Sequence, residues 1–530
     1  MPCYRKGIKR GEDKQMKLLF AGSRSCTVLM DERGDYYTAG PYAYRINGGE
    51  EKTDHVSVLS LFGLEPDSEY SIDACVHGRN EVLSFRTQSE VCTLDAKEFG
   101  AAGDGKKDDT SSIQAAILAC PEKGRVLIPE GNYSVGPLFL KSGVHIEIAK
   151  GARLCLTGDR ERFPLLPGRI QAQNETKEYL IGTWEGERRT CYAAAITGIG
   201  VKNVVISGEG TVDGCAQEAD WWQNAKDKVR PSRPRLLYLR SCKNVTVQGV
   251  TFQNSPSWNL HPCFSEDLRF LSVRVKAPAD SPNTDGFDPE SCRGVKMYGT
   301  EFSVGDDCIA IKSGKMYMGE AYRTPCEDIE IAWCRMLDGH GGVTVGSEMS
   351  GGVKNVRVHH CLMQGNDRGL RIKTRRGRGR WGVIDDIVFS DVKMENVKAP
   401  LTVNAMYFCD FDGKGPYVQS REPQKVDDGT PTIGRVTYER VRAENCTWCA
   451  AYILGLPENP AEELRLKDCL FTMDPDAAPK PPVMAMYIEP CARRGVIARF
   501  VKRVILDNVA IEGIDGPRVE AADVNEVKDF

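Results

Sequence analysis

The chain has 530 residues, 41% of them hydrophobic and 27% charged, with a net charge of −4 at pH 7. This fits a folded protein with a large core and gives no footing for general nucleic-acid binding. No apolar run is long enough for a membrane-spanning helix, and the 52 glycines point to many turns.

The opening MPCYRKGIKRGEDKQMKLLFAGSRS is basic but has no apolar stretch of signal-peptide length. Met16 could be the true start, with the first fifteen residues an extension. A cytoplasmic location is expected unless a leader has been removed.

Residues 1–92 differ in character from the rest. VSVLSLFGLEPDSEYSIDACV (56–76) alternates as a strand, breaks at Gly-Leu-x-Pro and resumes as a strand bearing Tyr70. SFRTQ (84–88) is a further short strand. Short strands with turn signals at this spacing predict a small β-sandwich. The GLEPDSEY segment resembles the fibronectin type III pattern, with Tyr70 as its corner tyrosine. No chemistry is evident there, and a packing or spacer role is expected.

A second domain is expected over 93–530. In DDTSSIQAAILAC, Ile113, Ala116, Ile117 and Cys120 fall on one helical face, and Asp109 or Thr110 can cap the helix. RVLIPEGNYSV then begins a series of strands. Apolar-alternating tetrads recur: VVIS (204), VTVQ (245), LRFL (268), VKMY (295), IEIA (329), VRVH (356), IVFS (387), VTYE (436), LRLK (464) and VILD (504). Five residues after most tetrad starts stands one small residue: Val250, Val273, Thr300, Cys334, Cys361, Val392, Val441, Cys469 and Val509. One strand and one small interior residue per repeat imply a right-handed parallel β-helix, with coils about 4.8 Å apart. The fold class is therefore all-β, a β-helix preceded by a small β-sandwich.

The ladder also bears on the 20 cysteines. Cys334, Cys361 and Cys469 take slots that valine fills elsewhere, so they read as small buried hydrophobes of a reducing compartment. Cys446-Thr-Trp-Cys449 has no second pair nearby, so no metal site is expected there.

Four segments align on a buried apolar residue: NTDGFDPES (283), GDDCIAIKS (305), GHGGVTVGS (339) and NDRGLRIKT (366). Phe287, Ile309, Val343 and Leu370 coincide. So do Asp285, Asp307, Gly341 and Arg368, and likewise Thr284, Asp306, His340 and Asp367. Asp285 and Asp307 should then stack on adjacent coils, with carboxylates roughly 5 Å apart. His340 should lie one coil beyond Asp306, and Arg371 and Lys373 should share a face. Asp307 has the parity of the inward Ile309 and Ile311, so it reaches solvent only if the chain bends between 307 and 309. Gly286 and Gly341-Gly342 make such a corner plausible.

Three carboxylates, an imidazole and two cations in one patch suit hydrolysis of a glycosidic bond. One acid must protonate the leaving oxygen, and a carboxylate must activate water or attack directly. Crowded carboxylates raise one another's pKa, so one can stay protonated near neutrality. Arg371 and Lys373 can pair with a substrate carboxylate.

NTDGFD, GDDCIAIKSG, GHGG and RIK, in that order, resemble the four signature segments of the polygalacturonases, glycoside hydrolase family 28. The similarity runs over roughly residues 94–515. The "FGAAGDGKKDDT…IPEGNY" string is similar to the opening of pectin-degrading β-helix enzymes, where a helix caps the coil. The added N-terminal domain resembles that of bacterial exo-acting members. The resemblance implies Asp306 as general acid, Asp285 and Asp307 as the water-activating pair and His340 as the group tuning the acid. It implies that Arg371 and Lys373 hold a galacturonate carboxylate, and that the outcome is inversion. The motifs carry all six residues. No cofactor or metal is called for.

Other candidates are less specific. In NSPSWNLHP, Trp258 and His261 could line a subsite or form a buried structural pair. Asn283 opens the NTD segment and is a candidate substrate contact. Trp221 and Trp222 could stack on sugar rings. Tyr407 could touch substrate, although core packing is the better reading. RRGRGR (375–380) could be a solvated loop or a basic rim that attracts a polyanion. His359 and His360 read as structural, with His360 in an outward slot.

The expected activity is hydrolysis of α-1,4-linked galacturonate chains, with exo action favoured and an acidic oligosaccharide or polysaccharide as partner. A hydrolase of rhamnogalacturonan or substituted galacturonan is an alternative on the same fold. A lyase would need calcium and a base that removes a C5 proton. A non-catalytic carbohydrate-binding β-helix would have no need of aligned Asp285, Asp307 and His340. Endo versus exo cleavage, chain length and oligomeric state are not fixed by the sequence.

Overall fold

The computed structural model describes residues 16–530 apart from 172, 175, 177, 227 and 228. The extension suggested for the first fifteen residues lies outside them.

Residues 17–86 form two antiparallel sheets. Lys17–Ala21, Ser25–Leu29 and Val58–Phe62 make one; Lys52–Val56, Tyr37–Ile46, Glu69–Val76 and Arg79–Arg86 make the other. Their inner faces enclose a core that includes Val28, Tyr42, Leu59, Leu61 and Ile72. The Tyr70 hydroxyl accepts a hydrogen bond from the Glu65 amide at 2.8 Å, the tie that defines a tyrosine corner.

Parallel pairing begins where Thr93–Asp95 meets Arg125–Ile128. From there the chain winds as a parallel β-helix with three ribbons. One ribbon stacks the recurring tetrads, for example Lys243–Gln248 on Glu266–Leu271 on Arg293–Tyr298. A second includes Leu260–Cys263, Ile309–Ile311, Val343–Val345, Arg368–Lys373 and Ala399–Asn404. The third runs from Asp104–Asp108 to Ala510–Glu512. The predicted ladder residues from Val250 to Val509 are all buried. Cys334, Cys361 and Cys469 sit among them as free thiols.

The residue before each ladder slot has positive φ: Gly249, Ser272, Gly299, Trp333, His360, Asp391, Arg440, Asp468 and Asn508. This left-handed corner turns the chain from the first ribbon into the third. His360 belongs to it, which corrects its reading as an ordinary outward strand position.

Helix Thr110–Ala119 buries Ile113, Ala116 and Ile117 in the same core at the start of the coil. The expected caps differ. Asp109 turns its carboxylate back to the amides of Ala102 and Gly103, at 2.7 and 3.0 Å, and the Asp108 side chain accepts from the Thr110 amide instead.

The N-terminal sheets lie against the first ribbon. Gln248 donates to the Cys26 carbonyl and the Thr27 hydroxyl at 2.9 and 2.8 Å, and Ser25 donates to Gln248. Leu29 and Val58 pack with Leu271, Tyr298 and Trp333. Any side chain at Gly299 would collide with Val58, 2.7 Å from the Cβ position.

Candidate active site

The four aligned segments meet in the order of their alignment. Phe287 bridges to Ile309, Ile309 pairs with Val343, and Val343 pairs with Leu370. These inward anchors fix everything presented beside them. The corner required for Asp307 exists: the chain bends over 305–308, so Cys308 and Ile309 both face the interior and Asp307 is released to the cleft. Gly286 and Gly341 make this close stacking possible. A Cβ at Gly286 would lie 2.5 Å from the Cys308 carbonyl, and one at Gly341 would lie 2.8 Å from Asp307 Oδ1.

Asp285, Asp306 and Asp307 present carboxylate oxygens within 4.8 Å of one another. Each has a different electrostatic setting. Burial alone would push the Asp307 carboxyl up, but Lys373 and Arg371 outweigh it and hold it well below the usual carboxylate range. Arg371 Nη1 donates to Oδ1 at 3.0 Å, and Lys373 Nζ donates to Oδ2 at 2.8 Å. Asp306 Oδ1 lies 3.2 Å from His340 Nδ1, and this hydrogen bond raises the His340 pKa. Asp285 is 5% exposed; burial first, then the neighbouring Asp306 and Asp288 charges, push its carboxyl well above the usual range.

Arg371 and Lys373, the candidates for holding a substrate carboxylate, are both bonded to Asp307. They still line the cavity, where Lys373 and Arg371 stand 5.5 and 5.8 Å from the centre of the Tyr407 ring. Tyr407 is half-buried and lines the same cavity, so the preference for core packing is corrected.

The cavity holds about 1090 Å³. The aspartates and His340 line it. Its wall comes from segments inserted between coils, carrying Trp184 and Arg233. Trp184 stacks on Trp258 with ring centres 4.6 Å apart. Arg233 Nη2 donates to Asn283 Oδ1 at 2.8 Å, and Asn283 lines the cavity. Trp258 is 3% exposed and packs edge-on against His261, as in the buried-pair reading, yet it also lines the cavity.

His261 does not. It is fully buried behind Trp258, with its Nε2 3.1 Å from Glu290 Oε2, and burial lowers its pKa to about 4. The subsite reading for His261 is therefore corrected to the structural one. Its strand position faces outward from the coil, but the inserted segment with Thr183 and the neighbouring Arg235 seal it from solvent. Trp221 is enclosed by Phe163, Tyr192 and Arg160, and Trp222 is half-buried with its indole bonded to the Ser255 carbonyl.

RRGRGR is neither a solvated loop nor a basic rim. Arg375, Arg376 and Arg378 are buried and paired with Asp412, Glu458 and Asp410. Only Arg380 of the four is exposed, beside Asp428.

Trp184, Arg233, Lys312 and Glu348 also line the cavity without having been singled out. Trp184, Arg233 and Glu348 stand outside the repeat pattern. Lys312 stood in the alignment, in the column of Lys373, and that column was the available signal.

The profile of Glycosyl hydrolases family 28 matches residues 124–478. The chain is similar to an endo-polygalacturonase of Pectobacterium carotovorum subsp. carotovorum, 33% identical over 66% of this chain and 81% of the relative. Its structure resembles that of a hyperthermoactive exopolygalacturonase from Thermotoga maritima, with a TM-score of 0.64 and 25% identity over 79% of this chain and 92% of that one. It also resembles a family 28 exopolygalacturonase from Yersinia enterocolitica, with a TM-score of 0.66 over 97% of this chain and 98% of that one; at 16% identity this likeness concerns the fold.

Proposed function

The chain belongs to glycosyl hydrolases family 28, and we propose that it hydrolyses α-1,4 bonds of galacturonate chains from one end. The observation that carries the reading is the gathering of Asp285, Asp306 and Asp307 within 4.8 Å, beside Arg371 and Lys373, in one cavity.

In this reading Asp306, tied to His340, protonates the leaving oxygen. Asp285 and Asp307 flank the water and remove its proton. Asp307 is fixed as an anion by two cations, so Asp285 is the partner whose proton must leave. Arg371 and Lys373 keep Asp307 ionised and bring positive charge to a cavity whose substrate is a polyanion. Inversion is part of the proposal. Inverting pairs usually stand about 6.5–9.5 Å apart, and the nearest oxygens here are closer than that range. Support for inversion comes from the paired carboxylates that can hold one water, and NMR of the first-formed anomer decides it.

For exo action we take the inserted residues Trp184 and Arg233, which line the cavity, to close one end of the cleft. The similarity to the Thermotoga maritima exopolygalacturonase supports it as well. Product analysis on a galacturonate ladder is the test: monomer alone from the outset is expected, and an early spread of oligomers would exclude it. Rhamnogalacturonan should release no reducing sugar. A reducing compartment is part of the same reading, supported by the free thiols of Cys334, Cys361 and Cys469 in the interior ladder; fractionation of cells by compartment tests it.

A further inference from the structure

A second set of charges lies beside the three aspartates and has no part in the reaction as described. Asp288 follows Asp285 by three residues in the same segment. It is fully buried, yet neither carboxylate oxygen accepts a hydrogen bond. Its close ion partner is Lys312, whose Nζ stands 3.5 Å from Oδ1. Lys312 is 4% exposed and reaches the cavity. Its ammonium is shared, since it also donates to Glu348 Oε2 at 3.3 Å and lies 4.8 Å from the centre of the Trp258 ring.

Asp307 has two cations of its own and Asp306 has His340, whereas among the described residues no cation is hydrogen-bonded to Asp285. The charges facing it come from four places. Asp306 and Asp307 lie on the next coil, and Asp288 on its own segment. Lys312 follows strand Ile309–Ile311, and Arg233 reaches in from the inserted wall. Arg233 is already engaged by Asn283 and by the carbonyls of Pro256 and Pro282. Lys312 is the cation that most favours ionised Asp285. Asp288 opposes it by occupying Lys312, and when ionised it also faces Asp285 with like charge. Burial pushes the Asp288 carboxyl itself up to about 8, with Lys312 pulling the other way. The two carboxyls therefore compete for one ammonium in a place with little water to screen them.

We propose that Asp288 and Lys312 are an opposed pair of positioning residues that govern when Asp285 carries its proton. The proposal rests on the reading of Asp285 as a base. A base must be ionised to act, so the acidic limb of the pH profile of kcat/KM reports it. The two residues should move that limb in opposite directions.

The test compares Asp288→Asn and Lys312→Met with the parent on one oligogalacturonide, so that substrate ionisation is common to all. Asp288→Asn releases Lys312 and removes the like charge that Asp288 carries when ionised; its acidic limb should move to lower pH by at most roughly one unit. Lys312→Met removes the favourable charge; its limb should move to higher pH by a similar amount. Limbs that stay in place while activity falls, or that move together, would overturn the proposal. If Lys312→Met does not fold, the direction for Asp288→Asn decides alone. Asp285→Asn is measured in parallel: retained activity would remove the base assignment itself, whereas near-complete loss with unmoved limbs would remove only the role of Asp288 and Lys312.

Discussion

Lys373 Nζ donates to Asp307 Oδ2 at 2.8 Å, so a residue two places along one strand neutralises a carboxylate one coil beyond its neighbour. Both groups are almost inaccessible, with side chains 10% and 1% exposed. Removing one partner of such a pair leaves the other charge buried and costs about 3–5 kcal/mol. Lys373→Met should lower the unfolding free energy by about that much in urea, less whatever Arg371 retains. The Asp307 carboxyl is held low in the folded state, so its stabilising effect is present above about pH 4 and fades as the pH falls further. The variant should show a flatter loss of stability in acid than the parent.

Asp306→Asn keeps shape and volume, and Asp306 is not part of the buried Asp307 ion pairs. The variant should fold, with an unchanged melting temperature at pH values above the His340 titration, and lose at least about 10³ in kcat. Reducing-sugar release at the parental rate would remove Asp306 from the mechanism.

His340 is raised above its ordinary value by the hydrogen bond to Asp306, with burial opposing. A raised folded pKa means its stabilising contribution is complete below about pH 6.5 and is lost as the pH climbs through the folded value. NMR titration should place His340 above about 6.5, and Asp306→Asn should bring it down. An unchanged His340 titration in that variant would break the coupling.

Trp184 stacks on Trp258 across the cavity wall. If this surface receives a sugar ring, Trp184→Ala should raise KM for short oligogalacturonides by about tenfold, near 1.4 kcal/mol, with a smaller effect on kcat. A parental KM would show that the stack is only a wall.

Arg376 and Glu458 form a buried pair with N–O distances of 2.6 and 2.8 Å. Arg376→Met should destabilise by about 3–5 kcal/mol while the salt dependence of KM stays parental. A basic rim would give the reverse: a changed salt dependence and parental stability.

The sequence reading was strongest where a residue repeats once per coil. The column of Phe287, Ile309, Val343 and Leu370 was legible because inward residues must be apolar and evenly placed, and the column of Asp285 and Asp307 followed from it. The left-handed corners were present in the letters too, since Gly, Ser, Asp and Asn hold most of those slots. Trp333, His360 and Arg440 blurred the pattern. The tight stacking of coils lets even these residues be held at φ near +50.

What the reading missed lies in the insertions. Trp184 and Arg233 come from segments with no period, and only tertiary closure puts them beside the aspartates. His261 was left between a subsite and a buried pair for a related reason: nothing local in NSPSWNLHP says that another segment covers the strand from outside. RRGRGR failed similarly. Its acceptors, Asp410, Asp412 and Glu458, lie 32 to 82 residues away in the chain, and no local reading pairs charges over that distance.

The in-register columns that carry Asp285, Asp307 and Arg371 have a consequence for how such a protein can change. Their separation is measured in coils, so it is indifferent to how many residues the chain spends getting from one coil to the next. Stretches between coils can lengthen, shorten or be exchanged, and the cutting edge keeps its gauge. A single residue gained or lost between a column residue and its inward anchor has no such freedom, because it would turn the carboxylate into the core. Natural variation here should therefore be generous in the wall and nearly absent in the few residues on either side of each anchor.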